Sequence, residues 1–102
     1  MAAPRAYSTR FIRASGAGSV DYTVPAGMRA VVRTVDAAQY TGTAGLAALL
    51  CGGYTVWFGS LPGANSSVHF ETRQVVMPGE VIRLTLNGGT QNGVVCGYLF
   101  SG

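Results

Sequence analysis

His69, Phe70 and Glu71 come nearest, by type and spacing, to a catalytic motif in this chain. A His-x-Glu step opens the zinc sites of nucleobase deaminases, where the His binds metal and the Glu moves protons. That chemistry also needs a Pro-Cys-x-x-Cys segment to supply the remaining ligands. Cys51 and Cys96 stand alone, so the motif is incomplete. The competing expectation is a solvated or interface-lying His–Glu pair on one strand face, flanked by Arg73. With one His, two Cys and four carboxylates in the chain, no pair has structural-zinc spacing, and neither a metal nor another cofactor is expected.

Other chemistries fare no better. No Gly-x-Ser-x-Gly elbow marks an activated serine. Gly16-Ala17-Gly18 lacks the third Gly and the helix of a phosphate loop, and Gly59-Ser60-Leu61-Pro62-Gly63 reads as plain loop. Asn65-Ser66-Ser67 has the form of a glycosylation sequon. Met1 to Tyr7 contains no apolar signal segment, so the sequon is read as a turn in a protein made in a cytoplasm. Cys51 and Cys96 are then expected to be reduced thiols in apolar runs. The longest charge-free run, Ala37 to His69, is broken by Gly, Pro and Asn and predicts no membrane span. No catalytic residue is expected.

The bulk composition points elsewhere. The 102 residues include seven Arg, no Lys and four acidic side chains. A soluble domain usually gives about a quarter of its residues to these types. Ser, Thr, Asn, Gln and Gly must therefore wet the surface, or other subunits must cover it. The net charge of +3 is too small to argue for nucleic acid, and no nucleic-acid partner is expected. With 48% hydrophobic residues the chain is expected to order as one domain over residues 1–102, behind a short N-terminal arm of roughly residues 1–6.

Period-two alternation punctuated by Gly and Pro predicts an all-β antiparallel sandwich of about eight strands. Tyr7 to Arg13 reads as the first strand; Val20, Tyr22 and Val24 alternate in the second. Met28 to Tyr40 is long enough to need a bend or bulge, at Val31-Val32 or Ala37-Ala38. Leu46 to Cys51 suits a helical turn by propensity, but its shortness and the Gly residues on both sides favour a buried strand. In Tyr54 to Phe58 the alternation sends Tyr54, Val56 and Phe58 to the core and Trp57 outward. Leu61 to Asn65 is a loop. Val68, Phe70 and Thr72 face opposite to His69, Glu71 and Arg73, and Ile82, Leu84 and Leu86 alternate with Arg83 and Thr85. Asn87-Gly88-Gly89 and Asn92-Gly93 frame the last connection. Val94 to Phe100 is apolar on both faces, as in a central or interface strand. Tyr22 to Val32 echoes Gln74 to Leu84: each reads strand, Pro-Gly corner, strand with an outward Arg. Two such corners would suit a double Greek key.

These patterns set the expected interfaces. Arg5, Arg10 and Arg13 form a basic stretch, either reaching an acidic subunit or guarding a solvated edge strand. Trp57 is an interface anchor, a residue packed within the chain, or a platform for a sugar ring. With Ile12 and the Val95–Leu99 face, these residues (Arg5, Arg10, Ile12, Arg13, Trp57, Val95, Leu99) are the expected subunit contacts.

Val24-Pro25-Ala26-Gly27-Met28-Arg29-Ala30-Val31-Val32-Arg33, the Trp57-Phe58 strand, Met77-Pro78-Gly79-Glu80 and the closing Gly97-Tyr98-Leu99-Phe100 resemble small bacteriophage virion proteins with a jelly-roll-like β-sandwich. The resemblance spans roughly residues 20–101. It implies a non-enzymatic virion component that contacts identical subunits and a major capsid or other virion protein. Head decoration leads; a head–tail neck or minor tail part is the alternative, and a carbohydrate-binding module using Trp57 is the rival of another class. The family's outer face often carries more charge, and the sparse charge here implies more extensive packing. No membrane partner is implied.

Overall fold

A computed structural model describes residues 5–42, 44–88 and 91–101. The strands are β1 (Arg5–Ser15), β2 (Gly18–Thr23), β3 (Met28–Gln39), β4 (Gly45–Cys51), β5 (Tyr54–Leu61), β6 (Ser66–Val76), β7 (Val81–Asn87) and β8 (Gln91–Ser101). They form two antiparallel sheets, ordered β1-β8-β3-β6 and β2-β7-β4-β5. First pairs with last, second with seventh, third with sixth and fourth with fifth. A long hairpin, closed at the β4–β5 turn, has thus been wrapped so that successive pairs fall in opposite sheets. That is the jelly-roll arrangement of a β-sandwich.

Local sequence explains the corners. Gly52-Gly53 closes β4 onto β5 with φ of 60° and 88°, the left-handed values that a two-residue hairpin needs and that glycine adopts at least cost. Pro25-Ala26-Gly27 carries β2 from one sheet into β3 of the other, and Pro78-Gly79 carries β6 back into β7. The two echoing corners lie side by side: the Val24 N–H donates to the Glu80 carbonyl at 3.0 Å, and the Gly79 N–H to the Val24 carbonyl at 2.9 Å. Each corner satisfies backbone groups the other leaves open.

Side chains from alternate positions fill the space between the sheets. Val32, Val35, Val76 and Val95 from one sheet meet Leu49, Ile82, Leu84 and Leu86 from the other. Fully burying such a side chain contributes about 1.5–3 kcal/mol. Among the described residues, Gln39 and Gln91 are the buried polar ones, tied by a 2.8 Å bond from the Gln91 amide to the Gln39 Oε1.

Several expectations shift by one residue, and the cause is bulging. β1 has an extra residue, Phe11, opposite β8; β3 has Arg33 opposite β8; β5 has Val56 opposite β4. Each extra residue reverses the facing of the strand beyond it. The bend in β3 therefore falls at Arg33, not at Val31-Val32 or Ala37-Ala38. Leu61 ends β5 in the core and is no loop residue, and Asn92-Gly93 lies within β8. β1 already begins at Arg5, so residues 5 and 6 of the expected arm pair with Ser101 and Phe100. The rest of that arm, and Gly89 of the expected last turn, lie outside the described residues.

Candidate functional site

The expected contact residues divide sharply. Ile12 is 2% exposed and Val95 0% exposed; the two are register partners inside the core, and Leu99 packs against that core. Their expected outward facing is corrected by the Phe11 bulge, which turns both Phe11 and Ile12 inward, and by β8 presenting its odd-numbered side to the opposite sheet. Trp57 is corrected likewise. The Val56 bulge turns it inward, where its ring stacks on Phe70 and crowds Gly59. Tyr54 and Phe58, expected in the core, are instead 79% and 69% exposed. Arg10 and Arg13 are exposed as expected, while the Arg5 side chain lies outside the described set.

The outer face of the β1-β8-β3-β6 sheet gathers residues that lie far apart in the chain. Val31, Val75, Tyr98 and Phe100 occupy adjacent outward positions in neighbouring strands, and the Tyr98 and Phe100 ring centroids are 6.3 Å apart. Arg29 borders a shallow hollow with Val31, Val75 and Phe100, and Arg10 and Arg33 border another with Cys96 and Tyr98. Arg73 stands outward beside Val75 on β6, and Arg13 faces out opposite Val94. Five of the seven arginines therefore share one sheet face. Among the described residues, none of these five has an acidic partner.

Toward the other end of the same face lies His69. Antiparallel register sets it opposite Asp36, whose Oδ1 is 2.5 Å from the His69 Nδ1, while the Glu71 Oε1 is 3.4 Å from Nε2. The Asp36 hydrogen bond first, and the Glu71 bond second, raise the His69 pKa above the ordinary histidine value. A protonated ring donates to both carboxylates at once. No local pattern marks Asp36 as a partner, because its place beside His69 depends on pairing across 33 residues of chain. Among the described residues no three His, Cys, Asp or Glu side chains form a metal-holding group.

The outer face of the β2-β7-β4-β5 sheet is different. Among the described residues, its one ion pair joins Arg83 and Asp21 through two bonds of 2.6 and 2.9 Å, which hold the Asp21 carboxyl below its ordinary pKa. Around that neutral pair lie small and hydroxyl side chains such as Ser19 and Thr85, with Leu46 and Phe58 left exposed. Cys51 faces the core from this sheet, while Cys96 lies on the outward side of the other, so the fold keeps the thiols apart. Burial first and the Glu80 charge second push the Cys51 thiol up to about 11.

No family model and no curated protein matches the chain. Among solved structures, the Drosophila NLP core, described for its pentamer formation and histone binding, aligns with a TM-score of 0.55 at 11% identity, over 89% of this chain and 98% of that one. Infectious bursal disease virus, Gx strain, aligns with a TM-score of 0.47 at 9% identity, covering 96% of this chain and 32% of the viral one. At such identities the likeness to the NLP core is one of fold alone: an eight-stranded β-sandwich.

Proposed function

We propose that this protein is a non-enzymatic structural subunit of a bacteriophage particle, a decoration or cement protein that stabilises the head through contacts between identical subunits and a coat protein. The observation that supports this reading is the outer face of the β2-β7-β4-β5 sheet, where exposed apolar side chains surround one self-neutralised ion pair. It leaves Leu46 and Phe58 in water, and among the described residues its one ion pair, Arg83 with Asp21, carries no net charge to keep copies apart. Exposed apolar surface of this kind marks association. A standard interface takes roughly 800 Å² per partner, a modest share of the chain's 5799 Å². Symmetric repetition on a particle multiplies weak contacts of this size. The His69 pair is read as a structural clasp that ties β6 to β3 through Asp36.

The sugar-binding alternative needs an available Trp57 ring, and that ring is engaged with Phe70 inside the sandwich. The neck or minor tail alternative uses the same surface and differs in number. Light scattering of the purified chain should show a defined oligomer, and Phe58→Asp should return it to single chains. Mass spectrometry of purified particles then separates the sites, with on the order of hundreds of copies for decoration and about a dozen for a ring. A wild-type chain that stays monomeric at high concentration, and is missing from particles, would sink the proposal.

A further inference from the structure

We propose that the outer face of the β1-β8-β3-β6 sheet docks an acidic, apolar-centred surface on a protein other than this one. That the partner belongs to a virus particle rests on the proposed virion role; its chemistry does not.

The face has the anatomy of a protein interface. Val31, Val75, Tyr98 and Phe100 make an apolar centre, and Arg10, Arg29, Arg33 and Arg73 stand around it. An aromatic and aliphatic centre inside a charged rim is the arrangement from which most interface energy comes. All the cations are guanidinium groups, whose planar fork matches carboxylates in pairs. Charge fixes the sign of the partner, because among the described residues Arg10, Arg13, Arg29, Arg33 and Arg73 find no acid on their own chain.

A second copy does not supply those acids. The chain holds four in all. Asp21 is held by Arg83, Asp36 and Glu71 flank His69, and the Glu80 carboxylate accepts the Met77 N–H at 2.8 Å in its turn. The partner is therefore a different, acid-rich molecule. Single-stranded nucleic acid would meet the charge, but it stacks bases on a succession of free aromatic faces. Here the two rings tilt against each other at 49° and the remaining centre is valine, which offers no stacking surface. An acidic protein surface with apolar side chains fits both parts.

The test uses the whole chain and two fluorescent probes: a Glu-rich peptide carrying Phe and Leu, and an oligothymidylate of equal charge. Anisotropy should show tighter binding to the peptide, weakening as salt rises. Arg33→Glu with Arg73→Glu should lose about tenfold or more in affinity, and Tyr98→Ser a smaller factor. Arg83→Glu, on the opposite sheet, should bind as wild type, as should Phe58→Asp. Circular dichroism of each variant checks that it folds. Tighter binding to the oligothymidylate overturns the choice of partner in favour of nucleic acid. No binding to the peptide, or equal loss in Arg83→Glu, overturns the docking face itself. Oligomeric mass measured alongside keeps the two proposals apart: single chains that bind the peptide defeat only the assembly reading, and oligomers that do not bind it defeat only this one.

Discussion

Trp57 of β5 lies stacked on Phe70 of β6, with ring centroids 5.3 Å apart and 16° between the planes. The contact joins the two sheets along the side where β5 hands the chain to β6. Its neighbour Gly59 has no room for a side chain because the indole occupies that space. The largest aromatic in the chain therefore serves the fold. Trp57→Ala should lower unfolding free energy by about 3 kcal/mol, read from urea denaturation at fixed protein concentration. Tyr54→Ala, at an exposed site on the same strand, should stay within about 0.5 kcal/mol of wild type. Similar small changes in both would return Trp57 to the surface.

Gly97 sits where β3 bulges at Arg33 and its backbone swings against β8. A methyl group there would collide with the Val31 carbonyl and the Arg33 amide, both fixed in the sheet. Gly93, further along β8, would place a methyl against the end of the Leu84 side chain, which can turn aside. Gly97→Ala should therefore cost about 2–3 kcal/mol and Gly93→Ala distinctly less. Thermal melts of the two variants decide it, and a reversed order would show that the bulge gives way easily.

That bulge also explains what the chain discloses before it is folded. Strands and corners are local: Val20-Asp21-Tyr22-Thr23-Val24 alternates with period two, and Pro25 to Gly27 and Pro78-Gly79 break the run, so about eight strands and two echoing corners are legible in the sequence. Facing is not local. Phe11, Arg33 and Val56 carry nothing in their own sequence that marks them as extra residues; each is extra only against its partner strand. One such residue exchanges core for surface beyond it, so Trp57 and Phe58 trade places and Ile12 joins the core. The arginine face is hidden for the same reason. Arg10, Arg33 and Arg73 come from three strands and meet only once β1, β8, β3 and β6 are in order.

The two thiols should react in sequence. Thiolate is the attacking form, and the buried Cys51, with its pKa pushed up to about 11, holds little of it near neutral pH. Cys96 is half-buried beside the hollow bordered by Arg10 and Tyr98. Iodoacetamide at mildly alkaline pH should add one group to the native protein, at Cys96, and a second only in denaturant. Intact mass with peptide mapping reads this directly. Early modification of Cys51 would mean that the β2-β7-β4-β5 sheet opens in the native state.

His69 gives the fold a pH dependence with a definite sign. Its native pKa is raised by the bond to Asp36 and, less strongly, by the bond to Glu71. A group that binds its proton more tightly when folded stabilises the native state below its unfolded pKa, about 6.5 for histidine. That contribution fades as pH climbs through the raised native value. The melting temperature should therefore fall from mildly acidic to mildly alkaline pH by more in the wild type than in His69→Gln. The ring is exposed, so the difference should be small and should shrink in salt. Proton NMR should place the His69 titration above the ordinary value, and Asp36→Asn should bring it down further than Glu71→Gln, since Asp36 makes the shorter bond. Equal pH slopes in wild type and His69→Gln, or a titration at the ordinary value, would show that the clasp does not hold in solution.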